Sequence, residues 1–144
     1  MDKKLWLIIA AGFSFFMAAC QMFISLSPAA AAYFGAPPPL LEDRSQLLLW
    51  GMAAVLVLVV FGLYALSGAG RIRRLPLLLI GLIGISCLFL LRGMFLVLDV
   101  LVVLGILEGE LLVQGTISTL VFLGAGIVYA VGTALNWKDI RASR

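Results

Sequence analysis

Residues 75–98 read LPLLLIGLIGISCLFLLRGMFLVL, a run in which Arg92 is the sole charge. A helix at a water-exposed surface carries a polar face opposite its apolar stripe, and this run has no such face. Its length exceeds the roughly 20 residues needed to cross a hydrocarbon core about 30 Å thick. Backbone groups in lipid must satisfy one another, so the run is expected to be a membrane-crossing helix.

Three more runs flank it. Leu5–Leu26, Leu47–Gly70 and Leu111–Leu135 contain no charge at all. None shows the alternation of a membrane β-strand. The expected fold is therefore all-α: one polytopic membrane domain over residues 1–144, a four-helix transmembrane bundle with spans near 5–26, 47–70, 75–98 and 111–135. Composition agrees, with 64% hydrophobic and 12% charged residues against about 45–50% and about 25% in soluble domains.

The connections are of different kinds. Residues 27–46 (SPAAAAYFGAPPPLLEDRSQ) contain Pro28, Gly35 and Pro37–Pro39, which forbid one continuous helix. Arg71–Arg74 is a short basic turn, Gly105–Glu110 carries two acids, and the tail after Leu135 is polar and basic. The start of the chain also has features of a secretory signal, with Lys3 and Lys4 before an apolar run and Ala29–Ala32 after it. Met17-Ala-Ala-Cys20 faintly resembles a lipoprotein site. Leu5–Leu26 is long for a signal core, and the first helix is expected to be retained.

The net charge of +3 does not indicate nucleic acid, because the charges sit at the ends of apolar runs. Lys3, Lys4, Arg71, Arg73, Arg74, Lys138, Arg141 and Arg144 fall on one side of a four-span topology. Arg44 alone falls on the other, with Glu42, Asp43, Glu108 and Glu110. Positively charged loops stay inside, so both termini are expected in the cytoplasm. Trp6, Tyr64 and Trp137 then lie near the inner interface, and Tyr33 and Trp50 near the outer one.

Small residues allow helices to approach closely in lipid. On that basis the inward faces are expected at Ala11, Ser14, Ala18, Gln21 and Ser25 in the first span, and at Thr119, Gly126, Ala130 and Thr133 or Ala134 in the fourth. The third span offers Gly81, Gly84, Leu88, Arg92, Phe95 and Asp99. The second offers a bulkier stripe of Trp50, Ala54, Val57, Phe61 and Tyr64. Cys20 and Cys87 lie inside apolar runs and are expected as free, buried thiols.

Charged residues inside spans are rare and mark pairing or function. Seventeen steps from Leu75 put Arg92 roughly 26 Å from the inner boundary. Gln21, sixteen steps from Leu5, reaches about 24 Å. A polar cluster of Gln21, Trp50, Arg92 and Thr119 is therefore expected in the outer half as a ligand site. A guanidinium suits a phosphate or carboxylate, whose oxygens accept its paired hydrogen bonds. Asp99, two turns beyond on the same face, is the first candidate for an ion-pair partner, followed by Glu108 and Glu110. Arg71, Arg73 and Arg74 set topology and are a second candidate surface, for lipid headgroups.

With no His in the chain and no CxxC pair, His catalysis, a Cys/His zinc site and dithiol redox chemistry are excluded. Glu108-Gly-Glu110 is too generic to hold a metal, and no cofactor is expected. No Pro breaks a helix at mid-depth, so the discontinuous-helix transporter pattern is absent.

Tyr33-Phe-Gly-Ala-Pro37, Gly62-Leu-Tyr-Ala-Leu-Ser-Gly-Ala-Gly-Arg-Ile-Arg-Arg-Leu-Pro76 and Leu91-Arg-Gly93 together resemble a pattern in small, uncharacterised four-span proteins of the bacterial inner membrane. The resemblance implies a multi-pass inner-membrane location and brings no activity and no site residues. Similarity to the DoxX-like proteins is only topological. The leading functional reading is a non-catalytic accessory, scaffold or lipid-interacting protein. The alternative is a small oligomeric transporter or channel for a lipophilic or anionic solute, with its site at Arg92. Membrane lipids are the expected partners, with a further copy of the chain or another membrane protein beside them.

Overall fold

A computed structural model describes residues 3–108 and 113–142. Every regular element among them is helical. The order is α1 (Lys3–Leu26), α2 (Pro28–Tyr33), α3 (Pro38–Glu42), α4 (Arg44–Gly68), α5 (Leu78–Gly93), α6 (Leu96–Val103), α7 (Val113–Leu135) and α8 (Trp137–Arg141). Four helices are long and apolar enough to cross a membrane: α1, α4, Leu78–Val103 as one span of α5 and α6, and α7.

Local chemistry explains the boundaries. The Ser27 side chain accepts from the Ala30 N–H, with Pro28 just behind it, and starts α2. Asp43 Oδ1 accepts from the backbone N–H of Ser45 at 2.9 Å and of Gln46 at 3.3 Å, so α4 starts at Arg44 rather than Leu47. At its other end Gly70, with φ +72°, lets Gly70 N donate to Ser67 O and Arg71 N to Leu66 O. That double closure is a Schellman cap, which needs the left-handed backbone glycine adopts freely.

The third span departs most from expectation. Leu77 takes φ 53°, a costly left-handed conformation for a branched side chain. With Pro76 before it, the helix is delayed to Leu78 instead of Leu75. The span is interrupted by a turn at Met94 and Phe95 and resumes as α6 to Val103, where Gly105 (φ +70°) closes it with the same cap. The 26-residue span is about 39 Å long, and Asp99 lies within it rather than at its outer edge.

The long helices pack in pairs, α1 against α4 and α5 against α7; α1 joins α7, and α4 joins α5 less extensively. Glycines set the closest approaches. A Cβ at Gly62 would stand 2.8 Å from the Phe15 ring, one at Gly93 2.7 Å from Leu123 Cα, and one at Gly132 2.9 Å from Leu7 Cδ2. A Cβ at Gly51 would overlap Ser25 Oγ. The core gathers Leu7, Leu82, Ile85, Phe89 and Tyr129, with the Phe89 ring 5.5 Å from that of Tyr129 and 5.6 Å from that of Phe61. The outer surface is apolar: Phe16, Phe23, Leu49 and Leu56 are each more than 60% exposed. Water would not tolerate so continuous a patch, whereas lipid does.

The first-span stripe is buried at Ala11, Ser14, Ala18 and Ser25, with Gln21 half-buried. The third-span and second-span stripes need correction. In α5 the buried face is Leu82, Ile85, Ser86, Phe89 and Gly93; Gly84, Leu88, Arg92 and Phe95 are exposed. A Cβ at Gly84 would meet nothing within 4 Å. In α4, Leu47, Gly51, Gly62, Ala65 and Ser67 are buried, while Trp50 and Val57 are exposed. In α7 the expected stripe is found, with Thr119, Gly126 and Thr133 buried and Ala130 half-buried; Ala134, the alternative to Thr133, is exposed. Cys87 is exposed and Cys20 half-buried, both as free thiols.

Candidate functional site

A polar thread crosses the core between the two helix pairs. Tyr129 Oη donates to the Phe61 carbonyl at 2.9 Å. Its single proton is thereby used, so the 2.6 Å contact with Ser14 Oγ has Ser14 as donor. One hydroxyl thus ties α7 to both α1 and α4. Toward the chain ends, Asn136 Nδ2 donates to Lys3 O at 2.7 Å and to Gly132 O at 2.8 Å. This places the start of α1 and the end of α7 at the same end of the molecule, where the turn after α4 also lies.

The four residues expected as an outer ligand cluster do not bond to one another. Gln21 Nε2 reaches Ser25 Oγ at 3.5 Å, and Ser25 Oγ donates to Gln21 O at 2.7 Å, both within α1. Thr119 is buried and donates to Gly115 O of its own helix. Trp50 is 65% exposed.

Arg92 is exposed, with its guanidinium carbon 5.3 Å from the Phe122 ring centroid and 5.6 Å from that of Phe95. Among the described residues no carboxylate stands within ion-pair distance of it. Asp99 Oδ2 is buried without a hydrogen-bond partner. Seven residues separate the two, about 10.5 Å of helix rise, and the arginine turns to the aromatic rings instead. Glu108 is exposed beyond the cap at Gly105. Glu110 lies outside the described residues.

Helical geometry fixes the flank that Arg92 occupies. It follows Gly81 by eleven residues, a net rotation of about 20°, and a Cβ at Gly81 would overlap the Tyr64 ring of α4. Arg92 therefore shares the flank that faces α4. The contacts across this seam lie at the end near the basic turn: Gly81 under Tyr64, Phe61 on Phe89, and Tyr64 Oη donating to Pro76 O at 3.2 Å. Farther along, α6 packs on α7 and has no comparable contact with α4. Arg92 lies on that flank, exposed, fourteen steps from Leu78, or about 21 Å.

The basic end is the more developed site. Arg71, Arg73 and Arg74 are all exposed, as are Lys3, Lys4, Lys138 and Arg141. A cleft of about 780 Å³ is lined by Lys3, Lys4, Arg71, Asn136 and Asp139, together with Leu5, Ile8, Ala69 and Gly70. A smaller one of about 270 Å³ lies beside Arg74, Leu77, Leu78 and Arg141. Lys3, Lys4, Asn136 and Asp139 had no site role in the sequence reading. Lys3 and Lys4 stood out only as topology markers, and nothing local marks Asn136 as the residue that joins the chain ends. Among the described residues no group of His, Cys, Asp or Glu is arranged to hold a metal ion.

Compared with known protein families, curated proteins and solved structures, the chain matches none of them.

Proposed function

We propose that this protein is a non-catalytic, multi-pass protein of the bacterial inner membrane, a four-helix bundle with both termini cytoplasmic, whose basic end engages anionic lipid headgroups in an accessory or scaffold role. The observation that carries the reading is the exposure of Arg71, Arg73 and Arg74 at the end where Lys3, Lys4, Lys138 and Arg141 are also exposed. Basic residues beside an anionic leaflet contribute about 1 kcal/mol each. The aromatic-and-aliphatic exterior and the tightly packed helix pairs favour a structural role over a water-filled path. The test is lipid retention: protein purified in neutral detergent should carry anionic lipids in excess over phosphatidylcholine. Replacing Arg71, Arg73 and Arg74 together with Gln should remove most of that excess. Equal retention of both lipid classes by the wild type would overturn the proposal.

A second reading draws support from Arg92, a guanidinium in a span with no carboxylate partner among the described residues. It makes the protein a small oligomeric transporter or channel for an anionic or lipophilic solute. Uptake of such a solute into proteoliposomes, abolished in Arg92→Gln, would favour it; absence of uptake would set it aside.

A further inference from the structure

The 780 Å³ cleft falls within the range of about 300–1,000 Å³ typical of small-molecule sites. Three separate stretches of chain build it: the start of α1, the turn after α4, and the α7–α8 junction. Lys3, Lys4 and Arg71 against Asp139 leave it a formal charge of +3 − 1 = +2. Lys4 Nζ lies 3.9 Å from where a Cβ on Gly70 would stand, so an ammonium overlies a backbone that has no side chain to block approach. Arg71 adds a fork suited to phosphate oxygens.

The cleft also holds an acceptor. Asn136, 1% exposed, ties its floor together, its Nδ2 donating to Lys3 O and Gly132 O. Asp139, exposed, supplies a carboxylate at the same cleft. A bare phosphate would satisfy the cations and offer no donor to the Asp139 carboxylate. A phosphate ester bearing hydroxyls offers one to it as well. Leu5 and Ile8 extend the lining along α1 into the apolar span, which suits a ligand whose remainder is hydrocarbon.

We propose that this cleft is a headgroup site for an anionic phospholipid with hydroxyl donors, of the phosphatidylglycerol type. The proposal rests on the lipid-binding reading above and sharpens it from charge to headgroup chemistry. Phosphatidic acid carries no alcohol hydroxyl and at least as much negative charge, so charge alone ranks it equal or first, and a preference for phosphatidylglycerol reports the Asp139 acceptor.

The experiment is native mass spectrometry of the full chain in neutral detergent with equimolar phosphatidylglycerol, phosphatidic acid and phosphatidylcholine. The wild type should retain phosphatidylglycerol over phosphatidic acid by about fivefold, the worth of one net hydrogen bond. Asp139→Ala should bring that ratio close to one while total anionic lipid stays level or rises. Lys3→Gln with Lys4→Gln should lower phosphatidylglycerol retention while Arg73 and Arg74 still hold anionic lipid in excess over phosphatidylcholine. A wild type without the preference, or one whose preference survives Asp139→Ala, overturns the headgroup site and leaves the general lipid reading standing. If no anionic lipid exceeds phosphatidylcholine, both readings fail. Displacement of the lipid by free glycerol phosphate at equal concentration would make the occupant a soluble ester and also overturn the proposal.

Discussion

Ser14 and Tyr129 are 115 residues apart in sequence and 2.6 Å apart in space, so their bond can be measured as a term of tertiary structure alone. Tyr129→Phe keeps the ring that lies 5.5 Å from Phe89 and removes two hydrogen bonds, to Ser14 and to Phe61 O. Interhelical bonds in membranes average about 0.6 kcal/mol and reach about 1.7, so this substitution should cost about 1.2 kcal/mol. Ser14→Ala removes one of the two and should cost about 0.6 kcal/mol. In Tyr129→Phe the Ser14 hydroxyl is free to turn back to the carbonyl of Ala10, which recovers part of the loss. Reversible unfolding in mixed detergent micelles, applied to both single variants and the double, isolates the pair. The coupling should be about 0.6 kcal/mol. Losses that add within about 0.3 kcal/mol, the ordinary scatter for independent sites, would show that the thread contributes no pairing energy and refute the reasoning.

Gly126→Ala should destabilise by about 1–2 kcal/mol in the same assay, since a Cβ there would stand 2.9 Å from Leu90 N and overpacking outweighs the helix gain. Gly84→Ala, with nothing within 4 Å, should instead stabilise by about 0.5–1 kcal/mol; equal signs for the two would contradict the helix faces. Arg92→Ala should cost about 0.5–1 kcal/mol, the loss of stacking on Phe122 and Phe95, and a loss of about 3–5 kcal/mol would mean that a buried ion pair had been broken. A C-terminal reporter active only in the cytoplasm should be active, and labelling of the C-terminus from outside intact cells would reverse the topology.

The four spans were legible because apolar length is a one-dimensional property. Their ends moved where a single side chain or dihedral decided: Asp43 drew α4 back to Arg44, and Leu77 held α5 off until Leu78. Helix faces were less legible. In α5, Gly81, Gly84 and Gly93 mark more than one flank. Gly93 meets Leu123 while Gly84 meets nothing, and composition alone does not separate these cases. Asp99 was expected to answer Arg92 because the two share a flank, yet the guanidinium rests over an aromatic ring of α7 and Asp99 Oδ2 has no hydrogen-bond partner. The cleft between the chain ends was hidden for a related reason. Its residues come from the beginning, middle and end of the sequence, and only the fold brings Lys4, Arg71 and Asp139 to one place.

The join between α1 and α7 carries a cost in time. At synthesis rates of about 5–20 residues per second, the 115 residues between Ser14 and Tyr129 take roughly 6–23 s to emerge. Until then α1 has only α4 to lean on, and the Ser14 hydroxyl must find a local carbonyl. The nascent protein therefore passes through a stage without α7, with α1 on α4 held by Gly51 on Ser25 and Gly62 against Phe15 and α5 held only by its seam with α4. A chain cut short ahead of α7 would persist as that three-span form, offering its uncovered Ser14 face to whatever quality-control protease or insertase surveys the membrane.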